Sequence, residues 1–299
     1  MAEIKRKQRT AEEEAIYQEK LAKAREQVRK MKENSNGKDP FKVPEATDFS
    51  AKLNQFSKVK HVIAVMSGKG GVGKSLITSL LAVNMRSKGY KVGILDADLT
   101  GPSIPTGFGL KGQLYGTEEG IEPAKSRTGI DIVSLNLMLE DAKEPVVWRG
   151  PVIAQVVKQF WSDVLWQDID YLFVDMPPGT GDVPLTVFQS LPVDGVVIVT
   201  SPQDMVSMIV GKAIKMAKMM SKPVIGLVEN MSYFQCPDCQ SKHHLFGESK
   251  LDKLADEFGI ETKVAQPLIA GYSDLVDQGN VETLDHTTLD PITAKILQL

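Results

Sequence analysis

The chain predicts an α/β fold: a doubly wound, mainly parallel sheet with helices on both faces. Three observations carry that prediction. From residue 61 onward, short β-branched runs alternate with helical patterns. Those runs are apolar almost without interruption, as strands buried on both faces are. The first of them, His61-Val62-Ile63-Ala64-Val65-Met66, leads directly into Ser67-Gly68-Lys69-Gly70-Gly71-Val72-Gly73-Lys74-Ser75, a glycine-rich turn that opens a helix. With 299 residues, 42% of them hydrophobic, the chain can bury a large core in one α/β domain plus extensions.

Taken in chain order, residues 1–40 stand apart as a charged helical extension and linker, ahead of a domain spanning 41–299. Tyr17, Leu21, Ala24, Val28 and Met31 form one narrow apolar stripe, and Asn34-Ser35-Asn36-Gly37-Lys38-Asp39-Pro40 stops the helix. The stripe covers barely two heptads, too few for a coiled coil, and suits a helix docked on its own domain or a partner subunit, against the alternative of a solvated arm. Residues 41–58 read as an irregular connector. The first strand is Val62–Met66, and the helix Lys74–Lys88 leaves the glycine-rich turn.

That turn is built to hold a polyphosphate. Backbone N–H groups of Gly68, Lys69, Gly70, Gly71, Val72 and Gly73 can turn inward on phosphate oxygens, and the helix N-terminus adds favourable dipole charge. Lys74 can reach the β- and γ-phosphates and the Ser75 hydroxyl can ligate Mg²⁺. Lys69 is a second lysine inside the loop, at a position the general motif leaves open.

The next strand, Lys91–Leu95, ends in Asp96-Ala97-Asp98-Leu99-Thr100-Gly101-Pro102-Ser103-Ile104-Pro105. Asp96 and Asp98 can hold a metal-bound water and orient the water of hydrolysis. A strand at Ile130–Leu135 and a helix at Gly150–Leu165 follow. Strand Tyr171–Val174 ends at Asp175, where Mg²⁺ on a loop-bound nucleotide is usually held, and opens Met176-Pro177-Pro178-Gly179-Thr180-Gly181-Asp182. Singly, each aspartate is equally a helix cap or turn residue.

Further elements are the helix Pro184–Leu191, the strand Gly195–Thr200 and the helix Asp204–Met220, whose methionines read as core filler. The strand Val224–Val228 precedes Asn230, whose amide can pair with adenine N6 and N7 or simply cap a turn. No Asn-Lys-x-Asp sequence of the guanine-specific kind follows, so ATP is the expected nucleotide. A helix at Ser249–Phe258 closes the series.

Cys236-Pro237-Asp238-Cys239 supplies half of a four-ligand metal set, and the chain has no other cysteine. A two-fold axis can bring two such pairs together as Cys₄ around one cluster or zinc ion. Alternatively His243 and His244 close a zinc site within one chain, although four- and five-residue spacings after Cys239 are tight. A thiol–disulfide pair is the third reading.

Together these motifs resemble the Mrp/ApbC-type iron–sulfur cluster carrier ATPases, within the deviant phosphate-loop superfamily of MinD, ParA and the nitrogenase iron protein. Trp148-Arg149-Gly150-Pro151, Ser201-Pro202-Gln203 and Gln266-Pro267-Leu268 extend the resemblance over about residues 60–280. It implies a homodimer in which Lys69 reaches the partner's nucleotide across the two-fold axis. Lys69 and Lys74 would contact phosphates, Ser75, Asp96 and Asp175 would serve Mg²⁺, and Asp98 would position water. Cys236 and Cys239 would hold a labile [4Fe-4S] cluster bridging two subunits, delivered to apo iron–sulfur proteins. ATP hydrolysis should be slow, since Arg149 is the one candidate arginine finger. The N-terminal cysteine motif of cytosolic eukaryotic relatives is absent, so a second, stable cluster is not expected.

Competing classes are a MinD/ParA-like spatial-organising ATPase and a zinc or nickel insertion ATPase. The formal net charge of −3 gives no bulk basic footprint for nucleic acid. No apolar stretch reaches the ~18–20 residues of a membrane span, and the charged start has no signal-peptide core, so the expected compartment is the cytoplasm, with no membrane or nucleic-acid partner.

Overall fold

A strand that is apolar at every position has no polar face to turn to water, so layers must cover it on both sides. The computed structural model, which describes residues 51–98, 103–138, 150–203 and 206–299, shows this arrangement. The expected N-terminal helix and linker, residues 99–102 and Trp148-Arg149 lie outside the described residues.

The main sheet is built from β1 (Val59–Ser67), β2 (Val92–Asp96), β3 (Ala124–Lys125), β4 (Asp131–Ser134), β5 (Ile169–Asp175), β6 (Gly195–Thr200), β7 (Val224–Glu229) and β8 (Lys263–Ala265). Their spatial order is β8-β7-β6-β1-β5-β2-β4-β3. Every pairing is parallel except β3 with β4. Alternation along each strand feeds two cores. Val62, Ala64 and Met66 of β1 and Leu172 and Val174 of β5 point to one side. Ile63, Val65 and Phe173 point to the other.

The helices are α1 (Lys74–Ser87), α2 (Ser103–Gly107), α3 (Gly150–Ser162), α4 (Asp182–Ser190), α5 (Val206–Met219), α6 (Leu251–Phe258), α7 (Tyr272–Asp277) and α8 (Asp290–Ile296). Helices α3, α4 and α5 cover the first core through Phe160, Val187 and Ile214. Helices α1 and α8 cover the second through Ile77, Leu80 and Ile292. No helix among the described residues is long and apolar enough to cross a membrane.

One expectation is corrected here. The methionines of the α5 segment are not uniformly core filler: Met208 and Met219 are each 73% exposed. Met216 and Met220 do pack against the core, while Met205 lies outside the described residues. An apolar face at period 3.6 accommodates only one side of a helix, and this segment carries methionine on both.

Parallel register brings the functional strand ends together. Asp175 lies beside Asp96 across the β2–β5 pair and beside Val65 across the β1–β5 pair. Loops that follow such carboxyl ends form the ligand crevice of an open α/β sheet.

Candidate functional site

The phosphate loop leaves β1 at Ser67 and enters α1 at Lys74. Gly73 caps that helix with φ 81°, and neither a capping side chain nor an acidic residue occupies the first turn. The first N–H groups of α1 are therefore left for an anion. A Cβ on Gly73 would also overlap the side-chain amide of Asn230. Gly73→Ala should lower the thermal midpoint by about 5 °C, the size of ~1–3 kcal/mol of strain in a unit this large. ADP affinity should fall at the same time, and calorimetric titration checks that.

A cleft of about 310 Å³ opens over this loop. Lys69, Gly70, Gly71, Gly73, Lys74 and Ser75 line it together with Asp98. Gly68 lies beneath, where a side chain would collide with Ile209 of α5, and Val72 is buried.

At the cleft floor the Lys74 ammonium lies 2.8 Å from Asp175 Oδ2 and 3.2 Å from Asp98 Oδ2. Ser75 Oγ donates to Asp175 Oδ2 at 2.6 Å, and Thr78 Oγ1 donates to Oδ1 at 2.7 Å. Burial pushes the Lys74 pKa down, but Asp175 and then Asp98 push it up and prevail, so the amine stays charged.

Asp96 sits at the end of β2. It is 1% exposed; Ser134 Oγ donates to Oδ2 at 2.8 Å and the Asp98 N–H to Oδ1 at 3.1 Å. Burial first, and the Asp175 charge second, hold its carboxyl well above the usual carboxylate range. With both oxygens engaged, Asp96 braces the Asp98 turn.

Asn230 donates a side-chain N–H to the Val72 carbonyl at 3.0 Å, which ties the amide to the phosphate loop and leaves its second N–H and its oxygen for a base. It also borders a second, apolar cavity of about 740 Å³, shared with Met231, Phe234, Leu245, Pro267 and Leu268. Lys69 donates to the Gln203 side-chain carbonyl of its own chain.

The cysteines sit on a separate two-stranded hairpin, Phe234–Gln235 paired with Lys242–His243. The Cys236 N–H donates to the Ser241 carbonyl at 2.9 Å and closes the turn. Cys239 is exposed and Cys236 half-buried. Hydrogen bonds from Ser241, then Cys236, lower the Cys239 thiol's pKa, which favours the thiolate that binds metals. His244 Nδ1 lies 3.2 Å from the Ser232 carbonyl oxygen. Among the described residues no three Cys, His, Asp or Glu groups gather into a metal site, so the single-chain zinc set is not assembled.

Sequence reasoning missed Thr78 and Ser134. Thr78 lies one helical turn past Lys74, a local signal that was available. Ser134 meets Asp96 only through the β2–β4 register.

A mainly parallel sheet with a glycine loop, an open helix N-terminus and a lysine held by the strand-end Asp175 and by Asp98 defines a P-loop nucleotide-binding protein. The family model described as ParA, NUBPL iron-transfer P-loop NTPase, matches residues 58–298, and the chain belongs to that family. It is 45% identical over 232 residues to the iron-sulfur cluster carrier protein of Methanocaldococcus jannaschii, spanning 77% of this chain and 80% of the relative. A solved nucleotide-binding protein from Archaeoglobus fulgidus in complex with ADP is 46% identical, with TM-score 0.68, covering 75% of this chain and 88% of that one. The cell division ATPase MinD of Pyrococcus furiosus, at 17% identity and TM-score 0.59 over 80% and 98% of the two chains, shares the fold.

Proposed function

We propose that this protein is an ATP-dependent carrier of labile iron–sulfur clusters, working as a homodimer that delivers its cargo to apo-proteins. The observation that carries this reading is the surface hairpin presenting two thiols, with no third metal ligand gathered beside them among the described residues. Two copies supply the four thiolates that a [4Fe-4S] cluster takes. An exposed site shared between chains suits a cargo that has to leave. The iron–sulfur carriers among its relatives support the same cargo.

The nucleotide chemistry follows from the cleft. Lys74 leaves its aspartates for the β- and γ-phosphates, backbone N–H groups hold the phosphate oxygens, and Asp98 orients the attacking water. Lys69 leaves Gln203 to reach the partner's nucleotide. Ser75 and Asp175 offer hydroxyl and carboxylate oxygens, the hard donors that Mg²⁺ prefers, and would hold it there. When bound, Mg²⁺ neutralises charge on the phosphates. Arg149 is the one candidate arginine finger in the sequence, and P-loop hydrolysis without a finger in place is slow. The adenine ring occupies the apolar cavity beside Asn230.

The test is to load the protein anaerobically with iron and sulfide and mix it with an apo-ferredoxin. The expected result is a broad cluster absorption that moves to the ferredoxin. A colourless protein retaining one zinc per chain, or a cluster that never transfers, would replace the carrier reading with a metal-binding one.

A further inference from the structure

We propose that Thr78 is the positioning residue that keeps the Asp175 carboxylate in one orientation for magnesium-dependent nucleotide binding. The inference rests on the reading above that Asp175 serves Mg²⁺, and it goes beyond the residues that reading uses. Asp175 is fully buried at the end of β5, and its two oxygens have different partners. Oδ2 meets Ser75 Oγ at 2.6 Å and Lys74 Nζ at 2.8 Å. Oδ1 meets Thr78 Oγ1 at 2.7 Å.

The Thr78 hydroxyl also lies 3.0 Å from the Lys74 carbonyl oxygen, and it has one proton to give. A charged carboxylate at the shorter distance is the stronger acceptor, so the proton goes to Asp175. Bonding back to the carbonyl four residues earlier is the ordinary use of a mid-helix threonine. Here that use is secondary.

Location separates Thr78 from the other two partners. Lys74 and Ser75 line the cleft, and both are drawn to phosphate and cation when nucleotide enters. Thr78 does not line it. It is fully buried one turn deeper in α1, with a β-branched side chain that is stiff about χ1. Of the three partners it alone stays in place through the binding cycle. Without its hydroxyl, Asp175 would face the incoming cation with a buried oxygen unsatisfied and its carboxylate plane unfixed, just as its other partners depart.

The test titrates Mg²⁺ against binding of a fluorescent ADP analogue, alongside binding in EDTA. Thr78→Val keeps the side-chain shape and removes the hydroxyl. It should raise the Mg²⁺ concentration at half-saturation on the order of tenfold, the size of one hydrogen bond to a charged group. Affinity in EDTA should stay within about twofold, because no group that touches phosphate has changed. Thr78→Ser should restore the wild-type midpoint. Should the buried valine unfold the chain, Thr78→Ala carries the same comparison.

An unchanged Mg²⁺ midpoint in the folded valine or alanine variant would overturn the proposal. So would an equal loss with and without Mg²⁺, which would mark a purely structural threonine. Asp175→Asn separates the underlying reading. If Mg²⁺ still strengthens binding there as in the wild type, Asp175 is not its ligand and both claims fall. If that response is lost while Thr78→Val behaves as wild type, only the Thr78 claim falls.

Discussion

Lys74→Ala should abolish ATP hydrolysis and weaken ADP binding by roughly 100-fold, about 3 kcal/mol for one lost charged contact to a buried partner. The loss has two parts. One is the missing cation on the phosphates. The other is what the cation leaves behind: Asp175, buried completely, and Asp98, both within 3.2 Å of the ammonium. Breaking a buried pair by removing one partner costs about 3–5 kcal/mol, so the variant should also melt well below the wild type.

Its pH dependence has a definite sign. In the wild type the Lys74 pKa is raised, so its contribution to stability is whole below the unfolded lysine value and is lost only as pH climbs through the raised one. Across neutral pH that contribution is flat. In the variant Asp96, already held up by burial and the Asp175 charge, loses the Lys74 charge that draws it down, which favours its protonated form in the fold. Stability then falls as pH rises through the carboxylate range. Thermal midpoints at pH 5 and pH 8 should show the larger deficit at pH 8. An equal deficit at both, or wild-type ADP affinity, would mean that this ion cluster does not hold the loop.

The reason this cluster matters also explains how far the sequence could be read. The central strands were legible because burial on both faces leaves a continuous apolar signature, as in Ile63–Met66 and Gly195–Thr200. The edges were not. Strand β8 has three residues beginning with a lysine, β3 has two, and α2 is a single turn containing Pro105. Such pieces carry too little periodicity to register.

Within the site, the phosphate loop was legible because its function is local: strand, glycines, lysine, serine and helix are consecutive. Contacts made by register were not. Thr78 and Asp175 are 97 residues apart, and Asn230 and Val72 are 158 apart. Asp96 shows what register adds to residue type. An aspartate at a strand end looks like a metal ligand, and across the β2–β4 pair its neighbour is Ser134, whose hydroxyl donates to one of its oxygens. The sequence places a carboxylate there; only the sheet shows which groups meet it.

Cys236→Ser and Cys239→Ser should each reduce cluster retained after reconstitution at least tenfold, although neither thiol touches the nucleotide loop. One substitution per chain removes two of the four thiolates from a shared site, and the remaining pair is a poor match for a cluster that takes four. Both residues lie on a surface hairpin, one exposed and one half-buried, so the thermal midpoint of the apo-protein should move by no more than about 2 °C. That control separates ligand loss from misfolding. Stoichiometry makes the stricter demand. If each chain contributes half of the ligand shell, the loaded wild type should be a dimer by light scattering, carrying about four iron atoms per two chains. The cysteine variants should lose iron and cluster absorption together. Iron held in full by a monomer would require two further ligands from one chain. His243 and His244 are the nearest histidines in sequence, and the hairpin does not gather them with the thiols. Such a monomer would therefore show that metal binding rebuilds the hairpin, and the shared-cluster reading would fail with it.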